Sequence, residues 1–98
     1  MMNLINGIEK TIQEHIPDAL ILVHNINNDG EHFEAIVISE SFNDMGLLTQ
    51  HQAVMKPLTA AFESSVHALA LKTFSLKKWN ETKQNHAIIA QKIKEKYQ

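Results

Sequence analysis

Residues 20–39 read Leu20-Ile21-Leu22-Val23-His24-Asn25-Ile26-Asn27-Asn28-Asp29-Gly30-Glu31-His32-Phe33-Glu34-Ala35-Ile36-Val37-Ile38-Ser39. Two short β-favouring apolar runs, Leu20–His24 and Phe33–Ser39, flank a polar stretch rich in Asn, Asp and Gly, which is how strands and the connection between them read in sequence. Within that stretch Asp29-Gly30 has the usual chemistry of a tight turn with positive φ angles. The segment predicts an antiparallel hairpin. Everything else in the chain is placed by what it adds to these two strands.

Upstream, Leu4, Ile8 and Ile12 recur at every fourth position with Ile5 and Ile16 beside them, the apolar stripe of a helix that Pro17 ends. Downstream, residues 40–48 form a connection containing Asn43, Asp44 and Gly46. Thr49 and Gln52 then stand in the S/T-x-x-E/Q spacing in which two side chains satisfy helix-start amides, with Leu48 able to clip onto the first turn. A helix is predicted from there along Val54, Leu58, Ala61, Phe62 and Ser65, with a kink or an opening turn at Pro57, which has no amide to donate. Val66 to Phe74 alternates as a third strand, placing His67, Leu69 and Leu71 on one face and Ala68, Ala70 and Lys72 on the other. Ser75 can cap a short helix through Trp79. From His86 to Gln98, Ile89, Ile93 and Tyr97 recur among lysines, a basic amphipathic helix. The predicted architecture is α+β: a three-stranded mixed sheet with helices packed on one face, plus an extra C-terminal helix. The long crossover between the second and third strands implies that those two run parallel.

Composition narrows the function classes. A chain of 98 residues, 44% apolar, has room for one hydrophobic core. Its longest apolar runs are about five residues, against roughly 18 for a membrane span, and its first ten residues lack the pattern of a secretory leader. The expectation is a soluble, cytoplasmic protein with no membrane partner. There is no cysteine, so disulfides, a catalytic thiol and any metal site made of this chain's own thiolates are excluded, and six histidines must carry any soft-metal chemistry. The net charge of −2 divides into −6 for residues 1–75, with nine acidic side chains against three lysines, and +4 for residues 76–98, with six lysines against two glutamates. A body this acidic repels phosphate, so nucleic-acid contact would have to use the tail. The absence of arginine removes the residue best suited to forked recognition of phosphate or guanine. Acidic residues and serines are scattered, without a nucleophile elbow, phosphate loop or zinc-protease motif, so an enzyme is not expected.

Four segments in order carry a resemblance to a known family. Residues Gly30-Glu31-His32-Phe33-Glu34-Ala35-Ile36-Val37-Ile38-Ser39-Glu40-Ser41-Phe42 resemble the second strand of the BolA-like family and the connection after it. Leu48-Thr49-Gln50-His51-Gln52-Ala53-Val54 is similar to the start of that family's main helix, and Val66-His67-Ala68-Leu69-Ala70-Leu71-Lys72-Thr73 to its third strand. Trp79, in Ser75-Leu76-Lys77-Lys78-Trp79, stands where the family usually has a tryptophan. The resemblance covers about residues 19–80. Gln50 departs from it, since the family often has arginine before the helix histidine, and the helical extension after Trp79 has no counterpart in it. The chain therefore divides into a BolA-like domain over residues 1–80 and a basic amphipathic extension over residues 81–98.

The resemblance implies a KH-like fold and a protein that pairs with a monothiol glutaredoxin in iron–sulfur trafficking or iron sensing. It further implies a shared [2Fe-2S] cluster, one iron held by the glutaredoxin cysteine and a glutathione thiolate. The BolA-like partner would supply a third-strand histidine, which here is His67, and a second ligand from the end of the first strand or the loop after it. The isolated chain would hold no cofactor, and would be a monomer or a weak homodimer. A cysteine-free chain can share such a cluster but cannot hold one alone, and imidazole ligation raises the cluster potential and makes it proton-dependent. For the second ligand, both His24 and His32 flank the hairpin loop. With Asp29-Gly30 as a two-residue turn, His24 would lie opposite Ala35 and His32 opposite Asn27, on opposite sheet faces, so at most one could join His67. His24 matches the family position better, and His32 remains the alternative. His15, His51 and His86 read as surface or helix-end residues.

A rival reading is a nucleic-acid-binding transcriptional regulator, since the implied fold is KH-like. The Gly-x-x-Gly clamp of KH modules is absent, with glycines only at positions 7, 30 and 46. DNA contact would then fall to Lys72, Lys77, Lys78 and the tail. A further reading makes the tail helix an interaction element, set against the plainer expectation that Ile89, Ile93 and Tyr97 dock on the domain's own surface.

Overall fold

A computed structural model of the chain describes residues 4–25, 32–62 and 69–97. The elements are α1 (Leu4–His15), β1 (Leu20–Asn25), β2 (Phe33–Ser39), a 3-10 turn (Glu40–Phe42), α2 (Leu47–Phe62), β3 (Leu69–Ser75), α3 (Leu76–Thr82), a second 3-10 turn (Lys83–His86) and α4 (Ala87–Lys96). The strands form one sheet in the order β1-β2-β3. β1 and β2 pair antiparallel, and β2 and β3 pair parallel, as the hairpin and the long crossover imply.

The two faces of the sheet carry separate apolar clusters, because residues alternate across each strand. On one face Ile21, Val23, Ala35 and Val37 pack under Ile8 and Ile12 of α1 and Val54 and Leu58 of α2, with Leu69 and Leu71 of β3 at the margin. On the other, Ile36 and Ile38 pack with Trp79 of α3 and Ile93 of α4, flanked by Leu20, Leu22 and Phe74. The expectation of helices on one face holds for α1 and α2. The C-terminal helices cover the opposite face, so β2, central in the strand order, is buried on both sides: Ala35 to Ser39 are all buried.

That burial explains a correction to the hairpin. His24 pairs with Glu34 and Asn25 with Phe33, one residue away from the register that a two-residue turn at Asp29-Gly30 would impose. A strand buried on both faces has no visible period of two, so its apolar run could not report the register. The turn residues themselves lie outside the described residues. The observed pairing is therefore not the one that would set His24 and His32 on opposite faces of the sheet.

Two further expectations change at α2. The helix starts at Leu47, so Thr49 lies within its first turn and does not cap it. The backbone N–H of Gln50 donates to the Gly46 carbonyl, which closes the first helical turn with Thr49 inside it. α2 then runs unbroken through Pro57, with no opening turn there. The third strand begins at Leu69, and residues 66–68 of the expected strand lie outside the described residues. Ser75 caps α3 as expected, its hydroxyl accepting from the Lys78 backbone N–H.

Gln50 is also the tie between the connection and the sheet. Its side chain donates to the Met45 carbonyl at 2.9 Å and accepts from the Thr73 hydroxyl at 2.8 Å, in a buried position. The same connection is pinned at its start by Asp18, whose carboxylate accepts from the Ser39 hydroxyl at 2.9 Å and from the Glu40 backbone N–H at 3.0 Å.

Candidate functional site

β1 and β2 bring His24 and Glu34 directly opposite each other, so both side chains stand on the face that carries Ile36 and Ile38. Lys72 lies on the same face of β3, paired with Ile36. Each strand thus contributes one residue to a group of His24, Glu34 and Lys72 on that face, with His24 and Glu34 toward the hairpin end of the sheet. The His24 Nε2 is 2.7 Å from Glu34 Oε1, and the Lys72 Nζ is 3.5 Å from Glu34 Oε2. Glu34 is the most enclosed of the three, its side chain 16% exposed against 33% for His24 and 53% for Lys72.

Burial by itself would raise the Glu34 carboxyl, but the His24 hydrogen bond and the Lys72 charge together outweigh it and hold the group below its ordinary value of 4.5. Glu34 is therefore a carboxylate at neutral pH and can only accept hydrogen bonds. A neutral His24 must then donate from Nε2, which leaves Nδ1 as the ring nitrogen not committed to Glu34.

His67 lies outside the described residues. The start of β3 is at the same end of the sheet as His24, since Leu69 pairs with Phe33. His32 immediately precedes β2 and is exposed. His15 points its Nδ1 at the Thr11 carbonyl, at 2.9 Å on its own helix, and His86 stacks on Trp79 with ring centroids 6.0 Å apart. Among the described residues no group of three or more His, Asp or Glu side chains is arranged to hold a metal ion, so any metal here would need ligands from elsewhere. What those residues offer is one partly exposed imidazole with its second nitrogen oriented, which suits a shared site and not a complete one.

Lys72, Lys77 and Lys78 are all exposed; Lys72 pairs with Glu34, and Lys77 and Lys78 stand in the first turn of α3. Lys78 borders a cleft of about 350 Å³ lined also by Phe42, Asn43, Gln50 and Thr73. Glu34 is the site residue that the sequence reading missed. Its signal was its position directly across from His24, visible only once the register is known.

Among the described residues no helix is long and apolar enough to cross a membrane. The family model for BolA-like protein matches residues 9–78. An uncharacterised protein of Buchnera aphidicola is 30% identical over 79 residues, covering 80% of this chain and 96% of its own length. The acid stress protein IbaG of Escherichia coli is 32% identical over 71 residues, covering 69% of this chain and 83% of its own. The DNA-binding transcriptional regulator BolA of Escherichia coli is 33% identical over 57 residues, covering 57% of this chain and 54% of its own. Among solved structures, a bolA protein homologue from Coxiella burnetii superposes with a TM-score of 0.64 at 30% identity, covering 82% of this chain and 99% of the other. These relatives are described as regulators, as a stress protein or as uncharacterised, and none of them as an enzyme. With the fold, the order of its elements and most of its length matched, the chain belongs to the BolA-like family.

Proposed function

We propose that this protein is a non-enzymatic partner of a monothiol glutaredoxin, with which it shares a [2Fe-2S] cluster for iron–sulfur trafficking or iron sensing. The observation that carries the reading is His24: a partly exposed imidazole at the hairpin end of β1, with a carboxylate on its Nε2, in a family member that has no cysteine. His67 stands two residues before the start of β3 in sequence and would be the other ligand from this chain. A shared cluster held in this way supplies electron storage or a transferable iron–sulfur unit. This chain's part is to present two imidazoles and to leave the thiolates to glutaredoxin and glutathione, which agrees with its lack of cysteine. His32, exposed just before β2, is the competing second ligand.

Mixing the protein with a monothiol glutaredoxin, glutathione, iron and sulfide should produce absorption and visible circular dichroism distinct from those of the glutaredoxin alone. His67→Ala should abolish or alter that spectrum while the fold persists. Comparing His24→Ala with His32→Ala should show the larger loss for His24. An unchanged spectrum on adding the protein would reject the reading.

A second reading is DNA binding, favoured by the name of the Escherichia coli regulator and by exposed Lys77 and Lys78 at the start of α3. Such binding should weaken steeply with salt and fall on substituting Lys77 and Lys78. A band shift that is absent, or indifferent to salt, rejects it.

A further inference from the structure

We propose that Glu34 is the positioning residue for His24: its carboxylate selects the ring tautomer protonated on Nε2 and thereby makes Nδ1 the nitrogen that His24 offers to a metal. The inference rests on the cluster-sharing reading and names the donor atom within it.

The geometry of the contact comes from the backbone. His24 and Glu34 are direct partners in the β1–β2 ladder, so their side chains leave the sheet side by side at a separation set by the pairing. The contact is short, 2.7 Å between Nε2 and Oε1, as expected for a bond to a charged acceptor. Lys72 holds the other carboxylate oxygen, with its Nζ 3.5 Å from Oε2. Glu34 is thus gripped from both neighbouring strands, one oxygen for each. A carboxylate fixed in this way has no proton to give, so the neutral imidazole must carry its proton on Nε2. Had Nε2 been the metal-binding atom, the bond to Glu34 would have to break first. Binding through Nδ1 keeps it, and it then does what a carboxylate behind a metal-bound histidine does: it fixes the ring plane and raises the basicity of the ligating nitrogen.

The test uses the full-length protein and its Glu34→Ala and Glu34→Gln variants. In the metal-free chain, nitrogen-15 NMR of the histidine rings at a pH where His24 is neutral reports the tautomer without any cluster. In the mixed complex with a monothiol glutaredoxin, glutathione, iron and sulfide, the decay of visible circular dichroism reports cluster lifetime. The wild type should show the Nε2–H tautomer. Glu34→Ala should give a mixture of tautomers and shorten the lifetime by roughly tenfold or more. Glu34→Gln, whose side-chain oxygen can accept the same bond in the same volume, should recover most of both, which separates orientation from simple loss of packing. An Nδ1–H tautomer in the wild type, or a tautomer and lifetime unchanged in Glu34→Ala, overturns the inference. A wild-type mixture that forms no shared cluster refutes the cluster-sharing reading itself, whereas a cluster indifferent to Glu34 refutes this inference alone.

Discussion

Gln50 occupies the position where an arginine is common in the family, and its surroundings show why a neutral amide suits this chain. It is buried, with its amide nitrogen on the Met45 carbonyl and its oxygen on the Thr73 hydroxyl, so a charged side chain there would lack a counter-ion among those partners. Gln50→Ala leaves the part-buried Met45 carbonyl and the buried Thr73 hydroxyl without this partner and should cost about 1–3 kcal/mol in urea unfolding. Adding Thr73→Val should recover part of that loss, since it removes one of the orphaned groups. Strict additivity of the two substitutions would contradict a shared network. Glu34 makes a separate, pH-dependent prediction. Its folded pKa is depressed, so its contribution is present above the ordinary value of 4.5 and is lost as pH falls through the lower folded value. Glu34→Gln should therefore lower the melting temperature at pH 7 but by less at pH 3. For a pair this close to the surface, the neutral-pH difference should be no more than about 1 kcal/mol.

At the scale of elements, the C-terminal helix is a fastened part of the fold. β1 is an edge strand, and the tail meets its outer side at one residue: the Ile21 N–H donates to the Tyr97 hydroxyl at 2.9 Å, and the Ile21 carbonyl accepts from the Lys96 Nζ at 2.6 Å. Lys96 also pairs with Glu9 of α1 at 2.8 Å, so one side chain links the tail to the helix on the opposite face of the sheet. Ile93 is buried in the cluster with Ile36, Ile38 and Trp79. Tyr97→Phe should cost about 1 kcal/mol, the net worth of one hydrogen bond. It should also speed deuterium exchange at the Ile21 amide relative to the β2 amides. Removing residues 87–98 should lower stability further and expose the β1 edge, which invites strand pairing between chains. Size-exclusion chromatography across a concentration series checks that outcome: an unchanged, monomeric and equally stable truncation would show that α4 is only loosely held. With docking on the domain's own surface as the plainer of two open readings, the apolar stripe of Ile89, Ile93 and Tyr97 was legible in its spacing. The identity of their acceptor on β1 was not, because a hydrogen bond between residues 21 and 97 leaves no local pattern.

At the scale of the whole molecule, the sheet is shared by two apolar layers and should unfold as a single unit. Trp79 belongs to the second layer, packed edge-on to Phe74 at 5.3 Å and buried with Ile36 and Ile93, so its fluorescence reports the face that far-UV circular dichroism does not single out. The two probes should give coincident denaturation curves, and an earlier transition in fluorescence would show that α3 and α4 detach before the α1–α2 layer melts. Sequence by itself determined the elements and their order. The fourfold spacing of Leu4, Ile8 and Ile12, the two β-favouring runs, the cap at Ser75 and the tail stripe are local patterns, and a local pattern needs only neighbouring residues to be read. It also set the chemistry available: with no cysteine and no arginine, the chain has no thiolate and no guanidinium to offer. Tertiary structure decided which of these meet. The one-residue difference in hairpin register placed Glu34, not Ala35, opposite His24, and packing of the tail on the far face buried β2 on both sides. Both outcomes depend on pairing between residues distant in sequence, where a shift of one position moves every side chain to the other face and no periodicity in a doubly buried strand records the choice.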